Sequence, residues 1–334
     1  SFSLDRQVTR NLLAALEYSG SAGRNLYSLE NPNRVGAGNV YLGIPCTSSP
    51  GDQGTCTARL LANQGYSNIN MRNGKGFSHY HAMNFRIQMQ DIARTGLTLT
   101  SNYTWSHAID NLSSTFSESA NNYNLGLLDP FNPKLDKGDA DFDIHNRWAM
   151  SAIWSLPFAK SLRGPAKHIL DGWQVAPIVT VRSGAPYSIF DVFNSPNGIY
   201  PRLMLLGPSS KMGNAGNIPT GTPNVNIYHD LTKLNIYTDY AHPITGTAEF
   251  GPYPPMMTGR NVFRTPGAWN IDLGIYKNNR WTERLSTQLR FEMYNAMNHA
   301  NLYVDTGNAD DSLDYISSYR SGNRNIQLAL KFIF

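Results

Sequence analysis

Apolar and polar residues alternate with a period of two over many separate stretches of this chain. That is the pattern of strands that turn one side toward an apolar medium. Over 81–91, Met83, Phe85, Ile87 and Met89 share a face opposite Asn84, Arg86, Gln88 and Gln90. Over 96–107, Leu97, Leu99, Tyr103 and Trp105 oppose Thr98, Thr100, Asn102 and Thr104. Over 145–156, Trp148, Met150, Ala152, Trp154 and Leu156 oppose Arg147, Ala149, Ser151 and Ser155. Stretches 172–182, 268–276 and 281–293 repeat the theme with Val175, Val179 and Val181, with Ile271, Leu273 and Ile275, and with Leu285, Leu289, Phe291 and Met293. A seventh closes the chain, NRNIQLALKFIF, with Ile326, Leu328, Leu330, Phe332 and Phe334 on one side. Two weaker candidates, 2–8 and 12–19, precede them.

Charge placement sharpens the pattern. None of the residues named on the apolar faces of the seven stronger stretches is charged, although 16% of the chain is. The opposite faces carry Arg86, Arg147, Arg182, Asp272, Arg284, Arg290, Glu292 and Lys331. A charge facing lipid at the bilayer midplane costs about 2–4 kcal/mol, which would exclude it from a lipid-facing surface. A soluble core excludes charge too, so this test leaves core and lipid open. The aromatic residues favour lipid. Tyr103, Trp105, Trp148, Trp154, Trp173, Trp269, Phe332 and Phe334 fall near predicted strand ends, where a membrane barrel places its interfacial girdles.

The predicted connections alternate in length. Short ones fall at 9–11, 92–95 and 277–280, with a moderate one at 157–170. Long ones run over about 20–76, 108–143, 184–266 and 295–323. Outer-membrane barrels have short periplasmic turns and long external loops. Counting back from a last strand that ends in the periplasm puts every short link on that side. Pro177 interrupts a predicted strand and would remove a ladder donor, so a bulge is expected there.

Composition narrows the function classes. The chain has 334 residues and a mild net charge of +4, without a concentrated basic block, so no nucleic-acid partner is expected. No apolar run is long enough for a membrane helix, and mean hydropathy is −0.38. The opening SFSLDRQVTRN lacks the layout of a signal peptide, which predicts a cytosolic protein or a mature or truncated start. Cys46 and Cys56 lie in a Gly/Pro/Ser-rich stretch placed outside by this register; a disulfide is the favoured state, two free thiols the alternative.

Several segments resemble one family. They are YTWSHAIDN (103–111), DFDIHNRWAMSAIWSLPF (141–158), GWQVAPIVTVRSGAPYSI (172–189), GRNVFRTPGAWNIDLGIYKNNR (259–280), LRFEMYNAMNHANL (289–302) and the closing strand. The chain is similar to TonB-dependent outer-membrane receptors, in particular the group with an N-terminal carboxypeptidase-regulatory-like domain. The resemblance implies an all-β, antiparallel transmembrane β-barrel in the bacterial outer membrane, of which this chain would supply about nine or ten strands with long extracellular loops. It implies uptake of a bulky, scarce ligand such as a siderophore, glycan or peptide. The expected partners are outer-membrane lipid, that unidentified imported ligand, and a TonB complex acting through a plug region. Plug, TonB-contacting box and signal sequence have no counterpart here, so residues 1–334 are expected to be the C-terminal part of a barrel.

The candidate chemistry is sparse. No G-x-S-x-G, P-loop or H-E-x-x-H occurs, so no enzyme and no cofactor are expected. Asp136, Asp139, Asp141 and Asp143 crowd one segment, and Asp139, Asp141 and Asp143 form a weak candidate for a Ca²⁺ site; the alternative is a solvated loop. His79 and His81 share a face and suit a rim position. Arg284, Arg290 and Glu292 suit an ion-pair ladder, or contact with an anionic ligand, on a lumen face. A rival from another class is a secreted β-sandwich binding glycans through loop aromatics; it requires a second sheet packed on the apolar faces.

Overall fold

The computed structural model describes residues 1–33, 69–91, 94–114, 126–159, 161, 163–188, 257–265, 267–304 and 318–334, with the short pieces 39–41, 63, 65–66, 202, 204–205, 237–238 and 250–252. Cys46 and Cys56 lie outside the described residues.

The alternating stretches form β1 (Phe2–Thr9), β2 (Leu12–Glu30), β3 (Met71–Gln90), β4 (Leu97–Asp110), β5 (Gly138–Asp139) and β6 (Asn146–Ser155). A short helix α1 (Pro165–Leu170) follows, then β7 (Trp173–Arg182), β8 (Pro186–Tyr187), β9 (Phe263–Arg264), β10 (Ala268–Arg280), β11 (Ser286–Tyr294) and β12 (Asn325–Ile333). Nine of these pair in the order β1-β2-β3-β4-β6-β7-β10-β11-β12, and β5 adds to the outer end of β4. Every pairing along this row is antiparallel. β8 pairs with β9 in a separate ribbon.

Directly opposed residues share a face, so the ladders can be read as rows. One runs Leu4–Leu16–Phe85–Tyr103–Trp148–Val181–Trp269. Another runs Leu97–Trp154–Val175–Ile275–Phe291–Leu328. The apolar sides of all nine strands therefore lie on one surface of the sheet. That surface is open: Phe85, Tyr103, Trp105, Leu289, Leu328 and Phe332 are all exposed. Among the described residues no second sheet covers it, which removes the sandwich rival. Buried apolar side chains are few and mostly small, such as Ala82, Ala108 and Ala152. Hydrocarbon must do here what a core does in a soluble protein.

Row spacing matches a bilayer. Six residues separate Trp148 from Trp154, two more lead from Val175 to Trp173, and two from Leu289 to Thr287, the partner of Phe332. Ten residues span roughly 33 Å along a strand, or roughly 25 Å once the strand tilts by roughly 40°. That is the height of the apolar band of an outer-membrane barrel. The charges that the ladders place on this surface lie toward its edges: Arg6 near a short inner turn, Lys277, which is buried and donates from Nζ to the Asp171 carbonyl and to Asn279 Oδ1, and Asp139, opposite Ile109 at the outer end.

The structure alters four details. β2 and β3 have 19 and 20 residues, and each extends about ten residues beyond its alternating stretch, because the outer halves are Gly-, Ser- and Asn-rich and carry no apolar face. Tyr103 and Trp105 consequently lie mid-strand rather than at a strand end. β10 runs on to Arg280, so the turn is 281–285; Arg284 sits in it and not on a strand face. Pro177 makes no bulge. The β6–β7 register is the same at Ser151↔Ile178 and Trp154↔Val175, with the pairs between them missing, so the proline costs ladder bonds toward β6 while Leu273↔Pro177 keeps the other side intact.

Candidate functional site

Arg86, Arg147, Arg182, Asp272, Arg290 and Glu292 lie on the surface opposite the apolar one. Arg147 and Arg182 stand directly opposed, each pushing the other toward solvent. Arg290 and Glu292 form an ion pair at 3.4 Å within β11, and Tyr276 Oη donates to Glu292 Oε1 at 3.1 Å. Asp272 Oδ1 accepts from Asn270 Nδ2 and from the backbone N–H of Asn295. Between these groups lies a hollow of about 460 Å³ lined by Thr98, Thr100, Ile153, Ile178, Asp272 and Tyr276 among others. Ile153 and Ile178 are both half exposed, so this face is less uniformly polar than its sequence pattern implied.

The aromatic residues are tied to the sheet by their polar atoms. Trp148 Nε1 donates to Ser101 Oγ, Trp154 Nε1 to the Thr95 carbonyl and Trp173 Nε1 to the Ile169 carbonyl. Tyr103 Oη donates to Asn146 Oδ1 at 2.6 Å. An indole facing hydrocarbon needs such a partner, because no water is there to supply one. Phe332 pairs with Thr287 near the inner end, and Phe334, beyond the last strand, is almost fully exposed.

The densest chemistry sits at the outer end of β4, where four charged segments meet. Asp110 closes β4, Asp139 lies on β5, Asp141 and Asp143 lead toward β6, and Arg260 and Arg264 arrive from more than a hundred residues away. Backbone bonds place the acids: Ala140 N–H donates to the Ala108 carbonyl, and Asp143 N–H to that of Ala140. Gly138 lets the Arg260 backbone cross over, because a Cβ there would lie 2.3 Å from the Arg260 carbonyl oxygen. Arg260 is almost fully buried. It donates to Asp110 Oδ1, to Ser113 Oγ at 2.7 Å and to Asp141 Oδ1 at 2.8 Å. Burial opposes its charge, but the carboxylates of Asp141 and Asp110 outweigh that and raise its pKa above the ordinary guanidinium value. Asn261 Nδ2 donates to the same Asp141 oxygen at 2.7 Å.

Arg264 serves the other side. Its Nη2 donates to Asp139 Oδ2 and, at 2.6 Å, to Asp143 Oδ2, and lies 2.9 Å from His145 Nε2. His145 Nε2 is in turn 2.9 Å from His107 Nδ1. Burial, then the Arg264 charge, lowers the His145 pKa from its usual value. A third arginine, Arg202, is fully buried and donates to Asp136 Oδ1 at 2.7 Å and to the Leu135 and Thr258 carbonyls. Nearby, the fully buried Glu30 accepts from Lys75 Nζ at 2.7 Å and Asn73 Nδ2 at 2.9 Å.

These contacts correct the expected Ca²⁺ site. Asp139, Asp141 and Asp143 do not converge: Asp141 turns to Arg260 and Asn261, while Asp139 and Asp143 turn to Arg264. The chain supplies its own cations to the acidic run. Sequence reading found the acids and passed over their partners His107, Arg202, Arg260 and Arg264. The available signal was the pair of arginines four apart in GRNVFR. His79 and His81 lie mid-strand on the extended β3; His81 opposes His107, and its Nδ1 is 2.7 Å from Tyr18 Oη.

A family model described as "outer membrane beta barrel domain" matches residues 1–327. The chain belongs to this family. The sheet is thus an arc of an outer-membrane barrel, its apolar surface toward lipid in the bacterial outer membrane. Among solved structures, the barrel is similar to the outer membrane transporter YddB from Escherichia coli, at 12% identity and a TM-score of 0.47 over 99% of this chain and 31% of that one. It is also similar to FpvA of P. aeruginosa, solved with heterologous pyoverdines, at 8% identity and a TM-score of 0.39 over 98% of this chain and 32% of that one. The chain thus spans about a third of the length of these transporters. No curated protein matches it.

Proposed function

We propose that this barrel arc belongs to a TonB-dependent transporter that takes up a bulky, scarce solute, and that residues 1–334 form the C-terminal part of its barrel. The observation that carries the reading is strand parity. β1 and β12 end the nine-strand row, and along an antiparallel row the first and ninth strands run the same way. Joining them directly would make a parallel seam, and leaving either edge open in hydrocarbon would strand its N–H and C=O groups at several kcal/mol each. All-antiparallel closure needs an odd number of further strands, hence a wider barrel whose polar surface lines a lumen. The hollow beside Asp272, Tyr276 and Glu292 lies on that lumen surface, and the arginine–aspartate network would anchor the outer loops above it. Sequence resemblance supplies the energy source, a TonB complex engaged through a plug.

The test is uptake by intact cells. The gene is deleted from its host, and growth is scored on ferric chelates, oligosaccharides or peptides as sole source. The reading expects at least one to depend on this gene, on TonB and on proton-motive force. Gene-dependent uptake that persists without TonB and with a protonophore would make the protein a passive channel and end the proposal.

A further inference from the structure

We infer that His107, His145, Asp139 and Asp143 form a binding site for a divalent transition-metal ion at the outer rim, and that Arg264 competes with the metal for it. The four residues come from β4, β5 and the lead into β6, and one donor atom from each lies within 4.8 Å of all the others. Two imidazole nitrogens with two carboxylate oxygens is a donor set that suits zinc and its neighbours, unlike the all-oxygen shell of calcium. A tetrahedral zinc shell with bonds of about 2.0–2.2 Å holds its donors about 3.4 Å apart. The separations here straddle that value. His145 Nε2 is 2.9 Å from Asp143 Oδ2 and 2.9 Å from His107 Nδ1, His107 Nδ1 is 3.6 Å from Asp143 Oδ2, and His145 Nε2 is 3.9 Å from Asp139 Oδ2.

Hydrogen supply points the same way. Arg264 Nη2 carries two hydrogens, yet faces three acceptors: Asp139 Oδ2, Asp143 Oδ2 and His145 Nε2. In the tautomer that carries the proton on His145 Nδ1, one of these acceptors is short of a hydrogen. A metal ion at that point would satisfy all three and His107 as well. The surroundings resemble those of a supported metal ligand, because the other oxygen of Asp143, Oδ1, is held by the Ala108 N–H at 2.7 Å. Access exists: about a third of each histidine side chain is exposed, whereas Asp143 is buried. Arg264 also donates from Nη1 to the Asp143 and Gly184 carbonyls, so its guanidinium can keep these anchors while Nη2 is displaced. Metal binding would therefore weaken the hold of β9 on the rim.

The experiment titrates Zn²⁺ into the full chain in detergent micelles, by calorimetry and by competition with a chromogenic chelator. X-ray absorption at the zinc edge reads the bound shell. The expected result is one ion per chain with a nitrogen/oxygen shell free of sulfur, which separates this site from Cys46 and Cys56. H107Q and H145Q should each weaken binding by about 10-fold or more. R264Q should bind more tightly than the natural chain, since the competing cation is gone. A purely structural ion-pair cluster would lose order in R264Q and gain no zinc affinity. Absence of zinc binding to the natural chain, a sulfur-containing shell, binding unaffected in the H107Q/H145Q double variant, or weaker binding in R264Q would each overturn the assignment. Matching circular dichroism across variants shows that each is folded.

Discussion

Replacing Arg260 by Met removes a cation from a place that water barely reaches. The side chains of Arg260, Asp110 and Asp141 are 7%, 6% and 15% exposed, so Arg260→Met leaves two carboxylates buried. Breaking a buried ion pair by deleting one partner costs about 3–5 kcal/mol. The lower end applies here, because each carboxylate keeps one donor: Ser113 Oγ still reaches Asp110 Oδ2 at 2.8 Å, and Asn261 Nδ2 still reaches Asp141 Oδ1. The penalty falls on the rim rather than on the whole barrel, since the pair joins the outer end of β4 to the segment around Asn261. Hydrogen exchange of the Ala108, Ala140 and Asn261 amides reads it, these donating to Asp143 Oδ1, the Ala108 carbonyl and Ser188 Oγ respectively. A loss of about 3 kcal/mol opens such amides about 100-fold more often. Combining Arg260→Met with Asp110→Asn removes one stranded charge and should recover about half of that in free energy. Acceleration below threefold in the single variant, with exchange in mid-barrel strands unchanged, would refute the idea that this network fastens the rim.

Three further perturbations have defined outcomes. Leu328→Arg places a charge at mid-height on the lipid surface of β12 and should cost about 2–4 kcal/mol in urea titrations of vesicle-inserted protein, whereas Ala329→Arg, one residue on and facing the lumen, should cost under about 1 kcal/mol; equal costs would mean that the two faces are assigned wrongly. Gly138→Ala drives a methyl group against the Arg260 carbonyl and should destabilise the same rim amides by about 1–3 kcal/mol, seen as faster exchange at Ala140; an unchanged rate there would show that the crossing is not tight. His299 stacks on Trp269 with ring centroids 3.9 Å apart, and burial lowers its pKa, so the folded state favours the neutral ring. The stability it contributes is complete above its unfolded pKa of about 6.5 and is lost as pH falls from there through the lowered folded value. Exchange of the His299 amide, bonded to Asn295 Oδ1, should accelerate over that window beyond its intrinsic pH dependence, and a slowing would reverse the sign argued here.

The sequence by itself determined which residues face which way. Side chains on a strand alternate strictly, so Phe85, Tyr103, Trp148 and Trp269 had to share a surface once their strands paired, and Arg86, Arg147 and Asp272 had to share the other. All nine strands of the row were legible for that reason. Where the alternation stops, local reasoning stops with it: the outer halves of β2 and β3 are polar on both sides, and only pairing with each other makes them strands. Turn placement failed for a related reason, since the apolar Leu285 carried the expected period into residues that form the turn, and took Arg284 with it. The rim network lay beyond any local rule. Asp110 and Arg260 are 150 residues apart, and Asp143 and Arg264 are 121 apart. A charge in a sequence reads as solvated until a partner is known, and only the tertiary fold, by carrying the GRNVFR segment across Gly138, brought the arginines to the acids and made burying both less costly than leaving either alone.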